Sequence, residues 1–323
     1  MRKATSFVAV ALLVAGCTVQ SESTSESARF KEALPDKGSV SLALPGADQG
    51  GQVASKSAGL KFLGNPASGQ ARYYTLTRDL SRGVDLGSAA VLGLVLAIAD
   101  TTPTTVEAKR ATWGPGASSA LEPVVYRFVV DEVADREYDY RLEGRPKADT
   151  SEAAYKKVIV GHGYGKTHPK HREGWFQFDN DALAALDSSH KDAGSVKVTF
   201  DLRSLDNAAL DRVLTAEVVE SAAEGAWNLT VRHKPDGAGS LTFAAKTDVS
   251  EPKNGTLEDV TLTSRWIASG AGRSDAVLKG ADLPATIAQV DIAECWGTDF
   301  KSAYYKDSVG YETESGSLAA CIP

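Results

Sequence analysis

Cysteine is scarce in this chain, a basic excess is missing, and no apolar run reaches the length of a membrane-spanning helix. Only three cysteines occur in 323 residues, Cys17, Cys295 and Cys321. No third ligand lies near the C-terminal pair, so a thiolate metal site is not expected there. Acidic residues outnumber basic ones, 42 to 35, for a net charge of −7. No basic stripe interleaved with aromatics appears. A general nucleic-acid binder needs such a footprint to displace counterions from phosphate, so nucleic acid is not an expected partner. The longest apolar run outside the N-terminus, residues 88–99, is well short of the roughly 20 residues that cross a bilayer. Motifs of chemistry are missing too. No G-x-S-x-G elbow, metalloprotease helix, calcium loop or dinucleotide fingerprint occurs, and no cofactor is expected. No fixed-period repeat is present.

What is there is an ordinary globular composition, 42% apolar and 24% charged, which excludes global disorder and a multi-span membrane protein. The N-terminus departs from it. Arg2 and Lys3 precede a nearly unbroken apolar run from Phe7 to Ala15, and small residues follow. A short positive start, a short apolar core and small residues before a cut make a secretory signal over residues 1–16. The sequence Val14-Ala15-Gly16-Cys17 resembles the lipobox of bacterial lipoproteins. That resemblance implies cleavage before Cys17, a diacylglycerol on its sulfur and an acyl group such as palmitate on its amine. The expectation is a chain anchored to the membrane through Cys17, not one that spans it. Thr18 follows, where many inner-membrane lipoproteins carry Asp, so the outer membrane is preferred. Loss of Arg2 and Lys3 with the leader would take the net charge to about −9. Residues 17–28 are Ser/Thr/Glu-rich and read as a disordered tether.

Export makes a Cys295–Cys321 disulfide the expected state of the remaining thiols. Residues 29–323 read as one mostly antiparallel β domain. Residues 39–44 alternate and are a candidate edge strand. From Thr104 onward apolar side chains recur at every second position. Examples are Val124/Tyr126/Phe128/Val130, Tyr138/Tyr140/Leu142, Val196/Val198/Phe200/Leu202, Trp227/Leu229/Val231, Val260/Leu262 and Val290/Ile292. Period-two alternation gives each strand one buried and one wet face, which is the habit of antiparallel sheets. The turn at 235–239 reads as a hairpin. Ten to twelve such strands imply a long meander that forms a curved half-barrel, a barrel or a two-layer sandwich. Residues 88–99 form an apolar helix or buried strand packed on it. Residues 179–187 and 206–214 read as helices, each an Ala/Leu core behind Asp and Asn caps. A meander wrapped around an apolar helix looks like the half-barrel of bacterial lipoprotein- and lipid-carrier proteins, an analogy of architecture alone.

The richest local segment is 158–171, VIVGHGYGKTHPKH. It is not a phosphate loop, because the required first glycine is Val160 and Pro169 opposes the following helix. Three of the five histidines, His162, His168 and His171, fall inside it. They are candidate ligands for zinc, copper or nickel, although Lys166, Lys170 and Arg172 crowd the same stretch with positive charge. The plainer reading is a solvated, glycine-rich hairpin loop between strands at 155–161 and 174–179. His233 reads as structural at a strand end. The carboxylate pairs Asp131/Glu132 and Asp135/Glu137 read as charged turns. Trp266 and Trp296 should cover the core near the disulfide.

The functional expectation is a non-enzymatic envelope lipoprotein that binds a hydrophobic ligand or scaffolds a protein partner. The alternatives are an exported metal-dependent hydrolase using His162, His168 and His171, and a purely structural surface protein. A cavity of several hundred Å3 would favour ligand binding.

Overall fold

A computed structural model describes residues 24–35, 69–117, 119, 121–220, 225–249, 254–280 and 283–321. The leader, Cys17 and the strand expected at 39–44 lie outside the described residues.

Among the described residues, fifteen strands carry the fold. They are β1 (Thr105–Glu107), β2 (Arg110–Gly116), β3 (Val124–Ala134), β4 (Glu137–Pro146), β5 (Lys156–Tyr164), β6 (Glu173–Asp179), β7 (Ser195–Asp201), β8 (Arg212–Val219), β9 (Ala226–His233), β10 (Gly239–Thr247), β11 (Glu258–Trp266), β12 (Gly272–Lys279), β13 (Val290–Trp296), β14 (Ser302–Asp307) and β15 (Ser315–Gly316). Three α-helices accompany them: α1 (Thr24–Lys31), α2 (Arg72–Ala99) and α3 (Asn180–Leu186). Among the described residues the strand order follows the chain order from β1 to β15, and no pair joins β15 back to β1, as a closed barrel would need. The result is the antiparallel meander that the alternation predicts.

The chain divides into two compact units, one drawn from Met1–Val40 and Gly87–Arg203, the other from Ser41–Leu86 and Ser204–Pro323, where the sequence suggests a single domain over 29–323. In the first unit, β1–β7 turn Trp113, Phe128, Tyr140, Ile159 and Phe176 inward, each at most 2% exposed. In the second, β8–β15 do the same with Leu214, Leu229, Leu241, Val260 and Val290, all fully buried. Register explains the regularity. Phe243 lies opposite both Leu229 and Leu262, and Ala276 opposite both Leu262 and Ile292, so one inward row continues from strand to strand. In β11 burial alternates without a break, from Glu258 through Val260, Leu262 and Ser264 to Trp266.

Helix α2 is longer than the 88–99 run, at 28 residues. One buried stripe, Tyr73, Thr77, Ser81, Val84, Ser88, Leu92, Val95 and Ala99, recurs at three- and four-residue intervals, and Arg72, Tyr74 and Arg78 are buried beside it at the N-terminal end. The opposite face is also apolar towards the C-terminal end, where Val91, Leu94 and Ile98 are half-buried and Ala90 and Ala97 exposed. By length and composition alone the helix could cross a membrane, a test that the core helix of a soluble protein passes as well. Helix α3 forms where expected, with the Asp179 side chain accepting from the Ala182 amide as its N-cap.

Two expectations fail. Residues 206–214 are not helical: a short 3-10 turn at Arg203–Leu205 leads into β8, where Leu214, Ala216 and Val218 face inward. The tether expected over 17–28 ends early, because residues 24–28 already belong to α1. Phe30, Ala33 and Leu34 are buried and supply the apolar contact that holds that helix.

Candidate functional site

The segment marked by its glycines and histidines is mostly strand. β5 runs to Tyr164, and the loop proper is only 165–172 before β6. Gly161 and Gly163 occupy successive inward positions of β5. A methyl group on Gly161 would lie 2.2 Å from the Tyr140 ring, and one on Gly163 2.1 Å from the Ala33 carbonyl oxygen. The bare backbone is therefore a seat, on which Tyr140 and the residues following α1 lie in direct contact.

The contacts of α1 follow from that seat. Phe30 meets Tyr138 edge-on at 6.0 Å between centroids. Arg29 pairs with Glu132 at 3.2 Å and donates to the Ala108 carbonyl. Glu32 accepts from the Lys166 amide at 3.3 Å and stands 3.8 Å from the Arg136 guanidinium. Between the end of α1 and the 165–172 loop is an open cleft of about 190 Å3, floored by Leu34, Phe200 and Leu202 and rimmed by Lys31, Lys166, His171 and Arg172. That is below the roughly 300–1,000 Å3 of ligand-enclosing pockets. It suits a surface contact better than an engulfed ligand.

The three candidate histidines are not brought together as ligands. Both nitrogens of His162 face carboxylates, Nδ1 at 2.8 Å from Asp139 and Nε2 at 3.4 Å from Glu137. His168 stacks on Tyr164 at 4.5 Å, and its Nδ1 accepts from the Lys170 amide. His171 Nδ1 lies 3.3 Å from the Tyr164 carbonyl. Among the described residues no group of three or more His, Cys, Asp or Glu converges as a metal site.

A second polar constellation has no counterpart in the sequence reading. Ser264, Ser274, Glu294 and Tyr305 are register partners across β11, β12, β13 and β14, all on the buried face. The N-terminal turns of α2 lie on this row. Thr77 Oγ1 and Ser264 Oγ are 2.6 Å apart, and so are Ser264 Oγ and Ser274 Oγ. The Tyr73 amide donates to Glu294 Oε2 at 2.6 Å. Glu294 thus serves a first-turn amide that α2 itself leaves unpartnered, as a capping side chain supplied by the sheet. Burial raises the Glu294 pKa, against the lowering effect of hydrogen bonds from the Tyr73 amide, the Ser302 side chain and the Arg72 amide. Beside the row, Tyr74 stacks on Phe300 at 4.5 Å and tilts against Trp296, whose Nε1 donates to the Gly270 carbonyl. Ser264, Ser274 and Glu294 thus hold the start of α2, while the buried Tyr305 hydroxyl at the end of the row has no hydrogen-bond partner among the described residues.

Cys295 and Cys321 are bonded, 5.3 Å apart at Cα. Trp266 and Trp296 are buried, as expected. His233 packs edge-on against Trp266, and burial, helped by the Arg212 charge, lowers its pKa. Asp131 is not a solvated turn residue. Burial would raise its pKa, but hydrogen bonds from Arg110 and Arg141 outweigh that and hold it below the usual carboxylate range. In comparisons with family models, curated proteins and solved structures, the chain matches none.

Proposed function

We propose that this protein is a lipid-anchored component of the bacterial cell envelope, held through Cys17, and that it works by binding or scaffolding and not by chemistry. The reading rests on one juxtaposition. A leader ending in a lipobox-like Val-Ala-Gly-Cys is followed, seven residues after the cysteine, by a helix strapped to the first unit through Phe30, Ala33 and Leu34. A chain so built holds its folded part close to the surface that carries the lipid. Thr18 after the cysteine favours the outer membrane. Mass spectrometry of the N-terminal peptide, with fractionation of membranes, tests it. Acylated Cys17 in the membrane pellet and a soluble Cys17→Ser variant are expected. An unprocessed, unacylated chain in the cytosol would end the reading.

The half-buried apolar face of α2 around Val91, Leu94 and Ile98 supports an apolar ligand in preference to a purely structural role. A fluorescent naphthylamine probe should brighten in the presence of the detergent-free Cys17→Ser variant and be displaced by fatty acid. Absence of both effects would leave the scaffold reading alone.

A further inference from the structure

We infer that the 165–172 loop is a second membrane contact, a basic surface that seats on anionic lipid headgroups beside the acyl anchor. The inference rests on the lipoprotein reading above. Its first support is composition. Gly-Lys-Thr-His-Pro-Lys-His-Arg holds three fixed cations and two histidines and no carboxylate, in a chain whose overall charge is −7. Lys166 and Lys170 are exposed at the tip. Lys31 and Arg136 stand nearby but each faces a carboxylate, Asp100 at 4.0 Å and Glu32 at 3.8 Å, so the free charge is that of the loop tip.

The carboxylates around the loop are already engaged. Glu32 faces Arg136 and the Lys166 amide. Glu173 pairs with Arg203 at 3.0 Å, and Glu137 and Asp139 flank His162. The exposed charges of Lys166 and Lys170 therefore point outward at the tip, while an acidic chain elsewhere is repelled by an anionic bilayer. That combination orients a protein as well as attracting it.

The second support is the anchor's reach. Cys17 and Thr24 are seven residues apart, which no conformation stretches beyond roughly 25 Å. Helix α1 adds about 12 Å, and the loop meets its C-terminal end at Glu32. The basic tip is thus held within about 40 Å of the acylated sulfur. Confinement on that scale turns a weak electrostatic contact into an intramolecular one at high effective concentration. Each Lys or Arg near an anionic surface is worth roughly a fivefold preference.

The test uses the full-length, cell-acylated protein carrying Thr167→Cys, labelled there with a fluorophore and reconstituted into vesicles. The vesicles are phosphatidylcholine alone or phosphatidylcholine with phosphatidylglycerol, each doped with a headgroup nitroxide quencher. Quenching should be several-fold stronger in the anionic vesicles. High salt should abolish the difference, and so should adding Lys166→Glu with Lys170→Glu, two exposed changes whose folding is checked by circular dichroism. Equal quenching in both vesicles, with Cys17 shown by mass spectrometry to be acylated, overturns this inference and leaves the anchored reading standing. A chain that never floats with either vesicle and carries no acyl group overturns both.

Discussion

Replacing Gly163 by alanine should unseat α1 while leaving the rest of the fold in place. The new methyl group would lie 2.1 Å from the Ala33 carbonyl oxygen, far inside ordinary contact, and the obstacle is backbone and not a flexible side-chain tip. β5 cannot retreat, because Gly163 is paired on one side with Tyr138 and on the other with Gly174. Residues 32–35 must give way instead. Their departure exposes Phe30 and Leu34, which are 0% and 7% exposed in the folded chain. At roughly 1.5–3 kcal/mol for each fully buried large apolar side chain, the loss is capped near 3–6 kcal/mol. Hydrogen exchange over residues 24–35 should accelerate by several orders of magnitude, with new tryptic cleavage at Arg29 and Lys31. Amides of β8–β13 should keep their protection. Exchange over residues 24–35 as slow in Gly163→Ala as in the natural chain would refute the seat, and with it the claim that this helix is held by the bare face of β5.

Gly83 supplies the opposite case. It lies inside α2, and an added methyl group would meet nothing within 4 Å, so Gly83→Ala should stabilise the protein by about 0.5–1 kcal/mol, read as a rise in urea midpoint. Removing the disulfide with Cys295→Ser and Cys321→Ser together frees a 26-residue separation and should cost about 2–4 kcal/mol, seen as a lower thermal midpoint that reductant no longer shifts. Glu294→Gln tests the buried row by its pH dependence. The folded-state pKa of Glu294 is raised, so the native state holds its proton more tightly than the unfolded chain does. The natural protein's stability relative to the Gln variant should therefore fall as pH rises from the ordinary carboxylate range through that raised pKa, and then level off. Urea titrations of both proteins across that window read the difference. A constant or rising difference would contradict the burial argument.

Strands are legible in the sequence wherever inward positions are apolar, since alternation is a direct trace of a half-buried pleat. The approach to β8 is not, because Asn207, Ala208, Ala209 and Leu210 mimic a capped helix just before the alternating Leu214, Ala216 and Val218 begin. Helix α1 is hidden by its polar composition. Its attachment comes from three apolar residues at its end and from glycines more than a hundred residues away, a relation no local pattern carries. The glycines themselves are visible but suggest a loop. Spaced two apart within a β-branched run, they mark a strand face stripped bare for another segment. The row of Ser264, Ser274 and Glu294 leaves a fainter trace: a polar residue in the inward register of three successive strands, where each strand alone looks merely interrupted.

The fold ties several of its buried charges to arginines and to backbone amides. Glu143 is clamped by Arg127 and Arg141, and Asp131 by Arg110 and Arg141. Asp307 accepts three backbone amides, from Val309, Tyr311 and Glu312, and Asp248 accepts two, from Asn254 and Gly255. Glu294 caps a helix. Each of these buried or half-buried carboxylates is committed to holding backbone or a neighbouring arginine. The 165–172 loop breaks that habit by gathering cations at an exposed tip, on the same hairpin whose glycines seat the N-terminal helix. Under the proposed anchoring, one supersecondary unit would set both how close the folded chain is held to Cys17 and which charged face it turns that way. Gly163→Ala should accordingly weaken the loop's preference for anionic vesicles even with every lysine intact, because releasing α1 lengthens the tether and dilutes the contact. Undiminished quenching of the Thr167→Cys label in that background would separate the two roles and show that the loop finds the bilayer without the helix.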